Sequence, residues 1–130
     1  MIKAGIIGGA GYTSGELLRI LSNHPNVEID FVFSTSQAGK PLTNAHPDLI
    51  GELDLLFTDT INPEVNVVFL CLGHGKSKAF LEENQFASHT RIIDLSNDFR
   101  LQNDKEFQSE NFVYGLPELN KTEVSTAKYI

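Results

Sequence analysis

The residues best suited to chemistry in this sequence are small ones. Gly8-Gly9-Ala10-Gly11-Tyr12-Thr13-Ser14-Gly15 follows an apolar run and precedes a segment of helical periodicity. At such a junction bare backbone lets a phosphate approach closely, and a helix N-terminus supplies N–H donors and partial positive charge. Gly8, Gly11 and Ser14 in this context form a dinucleotide-binding fingerprint. The competing reading is that the glycines only make a tight turn and let helix and strand pack closely. About twenty residues on, where an acidic residue would hold ribose hydroxyls, stands Ser34-Thr35-Ser36. Hydroxyls tolerate a 2′-phosphate that a carboxylate would repel, so the pattern favours NADP over NAD, with Lys40 a further candidate charge for that phosphate.

The other candidates carry less. Gly75-Lys76-Ser77 resembles the end of a triphosphate-binding loop, but position 70 is Leu70 where that motif needs glycine. The loop Gly73-His74-Gly75 instead suits a place beside a nicotinamide, or a plain turn with a solvated histidine. Cys71 lies within Val67-Val68-Phe69-Leu70-Cys71-Leu72, where desolvation would raise its pKa and block attack. His24, His46, His74 and His89 show no metal-ligand spacing, and no serine, histidine and carboxylate grouping specifies a triad. No catalytic residue and no metal site are expected within these residues.

The elements that must position these groups alternate. Ile2 to Ile7 reads as a strand, and Leu17, Leu18 and Leu21 as the buried stripe of a helix ending at Asn23-His24-Pro25, where Asn suits a left-handed cap. Val27 to Ser34 is a second strand, Leu53 to Phe57 a weaker third, Val65 to Leu72 a fourth; Lys76 to Phe86 is a helix and Arg91 to Leu95 a fifth strand. A short helix is expected near Asp104 to Ser109, and Tyr114 to Leu119 as a packed turn. A new apolar segment begins at Tyr129-Ile130, so the ending looks premature. This order predicts an α/β fold, a doubly wound parallel sheet of the Rossmann-like kind, with functional loops at Gly8, Ser34, Gly73 and Ser96.

Composition narrows the function. The 130 residues are 41% hydrophobic and carry 10 Lys and Arg against 17 Asp and Glu, a net charge of −7. That field opposes nucleic acid and anionic membranes, and the apolar runs are too short to span a bilayer. One cysteine forms no internal disulfide and fits a reducing compartment, so the cytoplasm is expected.

Taken together, the glycine segment through Leu18, His46-Pro47-Asp48-Leu49, Val67 to Gly75, Ile93-Asp94-Leu95-Ser96-Asn97-Asp98-Phe99-Arg100-Leu101 and Tyr114-Gly115-Leu116-Pro117-Glu118-Leu119 resemble the amino-terminal part of the N-acetyl-gamma-glutamyl-phosphate reductase family. Asp-Phe-Arg-Leu followed by Tyr-Gly-Leu-Pro-Glu-Leu separates it from the related aspartate-semialdehyde dehydrogenases. The family has glycine where Ser14 stands, with the extra glycine displaced here to Gly15.

The resemblance implies NADPH-dependent reduction of an acyl phosphate, N-acetyl-glutamyl 5-phosphate, to the 5-semialdehyde in arginine biosynthesis, by a homo-oligomer. A thiolate displaces phosphate to give a thioester, which hydride then reduces. It also implies that residues 1–130 are a dinucleotide-binding domain in part, truncated before an α+β substrate and dimerisation domain, with the cysteine nucleophile and histidine base beyond Ile130, so that the chain alone is inactive. By motif position, Gly8, Gly11, Tyr12, Thr13 and Ser14 fall to the pyrophosphate region, Ser34 and Ser36 to the ribose phosphate, and Gly73 and His74 to the region near the nicotinamide. Arg100 falls to the substrate phosphate, with the Ser96 hydroxyl assisting Arg100 or the cofactor; an ion pair of Arg100 with Asp98 or Glu118 is the structural alternative. A non-catalytic nucleotide-binding module, or a related semialdehyde dehydrogenase, is the alternative function. A chain ending here would leave a sheet edge open, making it marginally stable or self-associating without cofactor.

Overall fold

The computed structural model describes residues 1–130. The apolar stretches become strands, and the strands of the main sheet pair in parallel. β1 (Ile2–Ile7) leads through the glycine turn into α1 (Tyr12–Ser22), β2 (Val27–Phe33), β3 (Phe57–Thr58), β4 (Val67–Leu70), α2 (Ser77–Glu83) and β5 (Arg91–Asp94). The sheet order is β3-β2-β1-β4-β5, so the chain reverses direction across the sheet between β1 and β4. That reversal is the switch point at which ligands of such folds bind. Ile7 pairs with Phe33 and with Leu70, and Leu70 with Asp94, so four strands end at one level.

Neighbouring residues of each strand feed opposite faces, as a pleated strand requires. Ile6 and Val32 join Leu18 and Leu21 of α1, with Leu42, Leu49 and Phe57, in one core. Ile7 and Phe31 join Val68, Leu70, Leu81 of α2 and Ile92 in the other. Two cores on two faces are what a doubly wound sheet needs, and the fold expected from the sequence is the one observed. Leu18 is fully buried, which contributes about 1.5–3 kcal/mol.

Several local expectations are corrected. The third strand does not run from Leu53 to Phe57: Phe57–Thr58 alone pair with β2, while Leu56 makes an antiparallel bridge to Pro41. Between β2 and β3 the chain folds into two 3₁₀ turns, Leu42–Asn44 and Pro47–Leu49, which bury Leu42 and Leu49 under α1's side of the sheet. The fourth strand and the second helix are shorter than their apolar runs. Asn23 closes α1 at φ −97° rather than in the left-handed region, its side-chain N–H donating to the Arg19 carbonyl at 3.0 Å.

No helix spans Asp104 to Ser109. The segment is a hairpin, β6 (Glu106–Phe107) with β7 (Glu110–Asn111), turning through Gln108 and Ser109 at φ 51° and 67°. Burial of Phe107 and Phe112 beside Phe99 and Tyr129 decides this, with Phe99 and Phe112 stacked at 4.0 Å. Nor is Tyr114 to Leu119 a packed turn: Tyr114 and Leu119 are exposed, and Pro117 opens α3 (Pro117–Thr126). Tyr129 and Ile130 pair with β5, Ile130 N–H donating to the Ile92 carbonyl at 2.8 Å. No helix is long and apolar enough to cross a membrane.

Candidate functional site

All the loops expected to bear function leave the same edge of the sheet. The glycine turn follows β1 at its centre. Gly8 adopts φ +80°, a conformation that costs an L side chain about 1–2 kcal/mol, and a Cβ there would lie 2.7 Å from the Cys71 carbonyl oxygen. The Gly8 and Gly9 N–H groups both donate to the Phe33 carbonyl, at 3.1 and 2.9 Å. Gly8 therefore supplies conformation, its own donor being engaged.

The donors that remain free come next. Gly11 is the N-cap of α1 and no side chain caps it; the first amide of the helix with a backbone acceptor is Gly15, bonded to the Gly11 carbonyl at 3.1 Å. The N–H groups of Gly11, Tyr12, Thr13 and Ser14 thus have no partner in the protein. The Ser14 hydroxyl donates back to the Gly11 carbonyl at 2.7 Å, which closes the turn without consuming an amide. A Cβ on Gly11 would meet nothing within 4 Å, so open space lies beside the start of the turn. The exposed orphan N–H groups of Gly11, Tyr12 and Thr13 fit the phosphates of a dinucleotide, while Ser14 is fully buried. Tyr12, 98% exposed, stands at the rim.

Two contacts missing from the sequence reading secure this turn. His46 is buried, and its Nε2 lies 2.6 Å from the Gly9 carbonyl oxygen. Two residues on, Asp48 accepts from Arg19 of α1 at 2.8 Å, with Glu16 completing the cluster. The Arg19 hydrogen bond holds the Asp48 carboxyl below its ordinary range. The sequence offered only the His46-Pro47-Asp48-Leu49 motif as a hint, because a main-chain carbonyl 37 residues away leaves no mark on composition.

At the end of β2, Ser34 is buried and its hydroxyl lies 3.5 Å from that of exposed Ser36. Asp30, the nearest carboxylate on that strand, is taken by Lys3 at 3.4 Å and by the Asn62 amide at 2.9 Å. Hydroxyls therefore occupy the end of β2 itself, with exposed Asp59 following Thr58, whose carbonyl accepts from the Ser34 N–H at 2.9 Å on the neighbouring strand. Lys40 Nζ donates to Gln37 at 3.3 Å.

The loops after β4 and β5 are stitched together. Asp98 accepts from the N–H groups of Gly75 (2.6 Å), Ser77 (3.0 Å) and Lys78 (3.3 Å), capping α2 from across the site. Burial pushes the Asp98 carboxyl up, but those three N–H groups and the Ser96 hydroxyl outweigh it and hold it below the ordinary range. Asp94 takes the Ser77 and Ser96 hydroxyls, each at 2.7 Å. His74 Nδ1 accepts from the Asn97 N–H at 3.1 Å, so in the neutral ring Nε2 bears the proton. Gly73 and His74 are exposed.

Arg100 and Ser96 share a cleft of about 250 Å³ with Phe99, Tyr114, Leu116 and Ile130. Arg100 pairs with neither Asp98 nor Glu118: one guanidinium N–H donates to the Ser96 carbonyl at 3.2 Å and the side chain is otherwise exposed. Ser96 contributes through that carbonyl. Its hydroxyl, expected to assist Arg100, is spent on Asp94 and on the Asp98 N–H. Cys71 is part-buried, and burial, with the Asp94 charge, pushes its thiol up to about 12. The chain holds no group of three or more His, Cys, Asp or Glu placed to bind a metal ion.

Residues 3–127 match the family model described as semialdehyde dehydrogenase, NAD binding domain. A protein of Flavobacterium johnsoniae named N-acetyl-gamma-glutamyl-phosphate reductase is 66% identical over 130 residues, all of this chain and 40% of that protein. Proteins of the same name from Christiangramia forsetii and Phocaeicola vulgatus are 59% and 48% identical, again over the whole chain and 39% of their own length. The chain thus spans about 40% of the curated relatives it matches. Among solved structures, an aspartate semialdehyde dehydrogenase with NADP from Candida albicans superimposes with a TM-score of 0.59 at 22% identity, over 78% of this chain and 31% of that one, a likeness of fold.

Proposed function

Because the chain belongs to the semialdehyde dehydrogenase NAD-binding domain family, we propose that it is the NADP-binding part of an N-acetyl-gamma-glutamyl-phosphate reductase, which reduces N-acetyl-glutamyl 5-phosphate to the 5-semialdehyde. The observation that carries this reading is the uncapped first turn of α1, with the unpartnered N–H groups of exposed Gly11, Tyr12 and Thr13 at the switch point of a parallel sheet.

In this reading Gly11, Tyr12 and Thr13 hold the pyrophosphate through main-chain N–H groups and the helix field, buried Ser14 closes the turn through its hydroxyl, and Gly8 shapes it. Ser34 and Ser36 receive the 2′-phosphate of the adenosine ribose, and the Asp30 carboxylate of the same strand is held by Lys3 and Asn62. NADPH, when bound, supplies a hydride. Gly73 and His74 border its nicotinamide end, with the His74 Nε2–H as an outward donor. Arg100 offers a planar fork to the substrate phosphate from the cleft after β5. Cys71, with its thiol near 12, is not the nucleophile, so the reacting thiolate belongs to residues outside these 130 and the chain alone does not turn over. We assign the longer protein to the cytoplasm and to a homo-oligomer on the family resemblance.

Titration of NADPH and NADH by fluorescence tests the assignment. The wild-type chain is expected to saturate with NADPH at lower concentration than with NADH. In Ser36→Asp, an exposed position, a carboxylate in place of the hydroxyl assigned to the 2′-phosphate should erode that preference roughly tenfold. Absence of saturable NADPH binding by folded protein would sink the proposal.

A further inference from the structure

The glycine turn is held from outside as well as by its own strand, and the outside hold is a single side chain. Gly8 and Gly9 anchor the turn to β2 through their N–H groups, both on the Phe33 carbonyl. The next peptide, Gly9–Ala10, has no such anchor on its N–H side. Its carbonyl is fixed by buried His46, whose Nε2 lies 2.6 Å away. A carbonyl oxygen only accepts, so Nε2 carries the proton. A trans peptide is planar, with C=O and N–H pointing opposite ways. Holding the Gly9 carbonyl toward His46 therefore turns the Ala10 N–H away from it, and that N–H, like the four after it, has no acceptor in the protein.

Three further features make the hold stiff. The His46 ring packs against Gly15 on the first turn of α1, where an added Cβ would lie 2.8 Å from Nδ1. This gives Gly15 a reason of its own: the glycine clears space for the imidazole and is separate from the donors of the turn. On its other side the ring tilts against Phe57, centroids 6.3 Å apart. Its own 3₁₀ segment is tied to α1 by the Arg19–Asp48 pair at 2.8 Å. The imidazole is thus clamped between helix and sheet with one donor aimed at one carbonyl.

We infer that His46 is a positioning residue for the dinucleotide site: its Nε2–H fixes the Gly9–Ala10 peptide and thereby the direction in which the turn presents its N–H groups. This rests on the dinucleotide reading of that turn, so the test must separate the two. It uses protein expressed from the full reading frame that carries this chain, with two probes. NADPH engages the turn; adenosine 2′-monophosphate engages only the ribose-phosphate corner after β2.

His46→Leu removes the donor and keeps an apolar body; His46→Gln keeps an N–H donor near the position of Nε2. Leu should raise the NADPH Kd roughly five- to tenfold and leave the 2′-monophosphate unchanged, the net value of one hydrogen bond. Gln should restore NADPH binding to within about twofold of wild type. NADPH binding by His46→Leu equal to wild type overturns the inference, as does an equal loss of both probes in Leu and Gln, which would mean general loosening. Should Leu fail to fold, Gly15→Ala carries the test: alanine favours the helix but displaces the ring. It should weaken NADPH selectively, and unchanged NADPH binding there overturns the inference. Nitrogen-15 spectra of the ligand-free protein give an independent readout, with the Nε2–H tautomer expected and an Nδ1–H tautomer overturning it. Wild-type protein that binds the 2′-monophosphate but not NADPH would overturn the dinucleotide reading itself, whatever the tautomer.

Discussion

Gly8→Ala and Gly11→Ala are three residues apart in one motif, and the structure assigns them different costs. At Gly8 the backbone sits at φ +80°, and an added Cβ would lie 2.7 Å from the Cys71 carbonyl oxygen and 2.9 Å from its carbon. Both are main-chain atoms of the segment that continues β4, whose N–H donates to the Ile7 carbonyl at 2.8 Å. The clash therefore cannot be relieved by a rotamer change. Left-handed strain of about 1–2 kcal/mol adds to overpacking of about 1–3 kcal/mol, giving roughly 2–5 kcal/mol. Against a total stability of about 5–15 kcal/mol that is a severe loss. With a urea m-value of about 2 kcal/mol/M, the midpoint should fall by roughly 1–2.5 M.

At Gly11 the conformation is ordinary, φ −88°, and a Cβ meets nothing within 4 Å. Alanine is a poorer N-cap than glycine, so less than about 1 kcal/mol should be lost. The methyl instead enters the space before the unpartnered amides, so NADPH binding should fall while the urea midpoint stays nearly in place. Paired urea unfolding and NADPH titration of the two variants read this contrast directly. Equal destabilisation of both, or a Gly8→Ala protein as stable as wild type, would refute the division of the motif into one glycine that shapes and another that leaves room.

Asp98 should make stability acid-sensitive. Its folded pKa lies below the ordinary value, so its contribution is complete above the unfolded pKa of about 4 and is lost as pH falls through the lower folded pKa. Asp98→Asn should cost about 0.5–2 kcal/mol at neutral pH, as loss of a helix cap does, and should flatten the decline below pH 5; parallel wild-type and variant curves between pH 5 and 2 would contradict this. Cys71, with its thiol raised to about 12, should resist a thiol reagent at pH 8 in the native protein and react promptly in urea. Native labelling as fast as the unfolded rate would contradict the burial.

What the sequence made legible was what short-range patterning controls. The first strand, the glycine turn, the stripe of Leu17, Leu18 and Leu21 and the apolar runs at 27–34, 67–72 and 91–95 each carry their own period and punctuation, and their strand–helix alternation leaves few topologies. The hairpin at 106–111 escaped because its turn is Gln108-Ser109, without the Asn-Gly signature of left-handed turns, and because its driving force is burial of Phe107 and Phe112 against distant Phe99 and Tyr129. The third strand was overread because Leu53 and Leu55 serve the core beside 3₁₀ turns without joining the ladder. For the site, the donors were readable from position alone. Their supports were not: His46 and Asp98 act on main-chain groups of residues 9, 75, 77 and 78, and a backbone partner has no side-chain identity to read.

The two helix N-termini at the same edge differ in whether their donors are taken. Both α1 and α2 follow a strand of the central sheet through a glycine-containing loop, and the sequence at α2, Gly75-Lys76-Ser77, looks the more like a phosphate loop. Yet the α2 amides of Gly75, Ser77 and Lys78 are consumed by the Asp98 carboxylate, which also places a negative charge where a phosphate would sit. The α1 amides have no acceptor, and the nearest anchored carboxylates, Glu16 and Asp48, are paired with Arg19. One terminus thus has its donors occupied and a negative charge in place, whereas the other leaves its donors without an acceptor. In Asp98→Ala the α2 terminus gains free donors, so a second, weak phosphate-binding event is expected by phosphate-monitored NMR or calorimetry. If Asp98→Ala binds no more phosphate than wild type while retaining its fold, occupancy by Asp98 is not what keeps α2 silent.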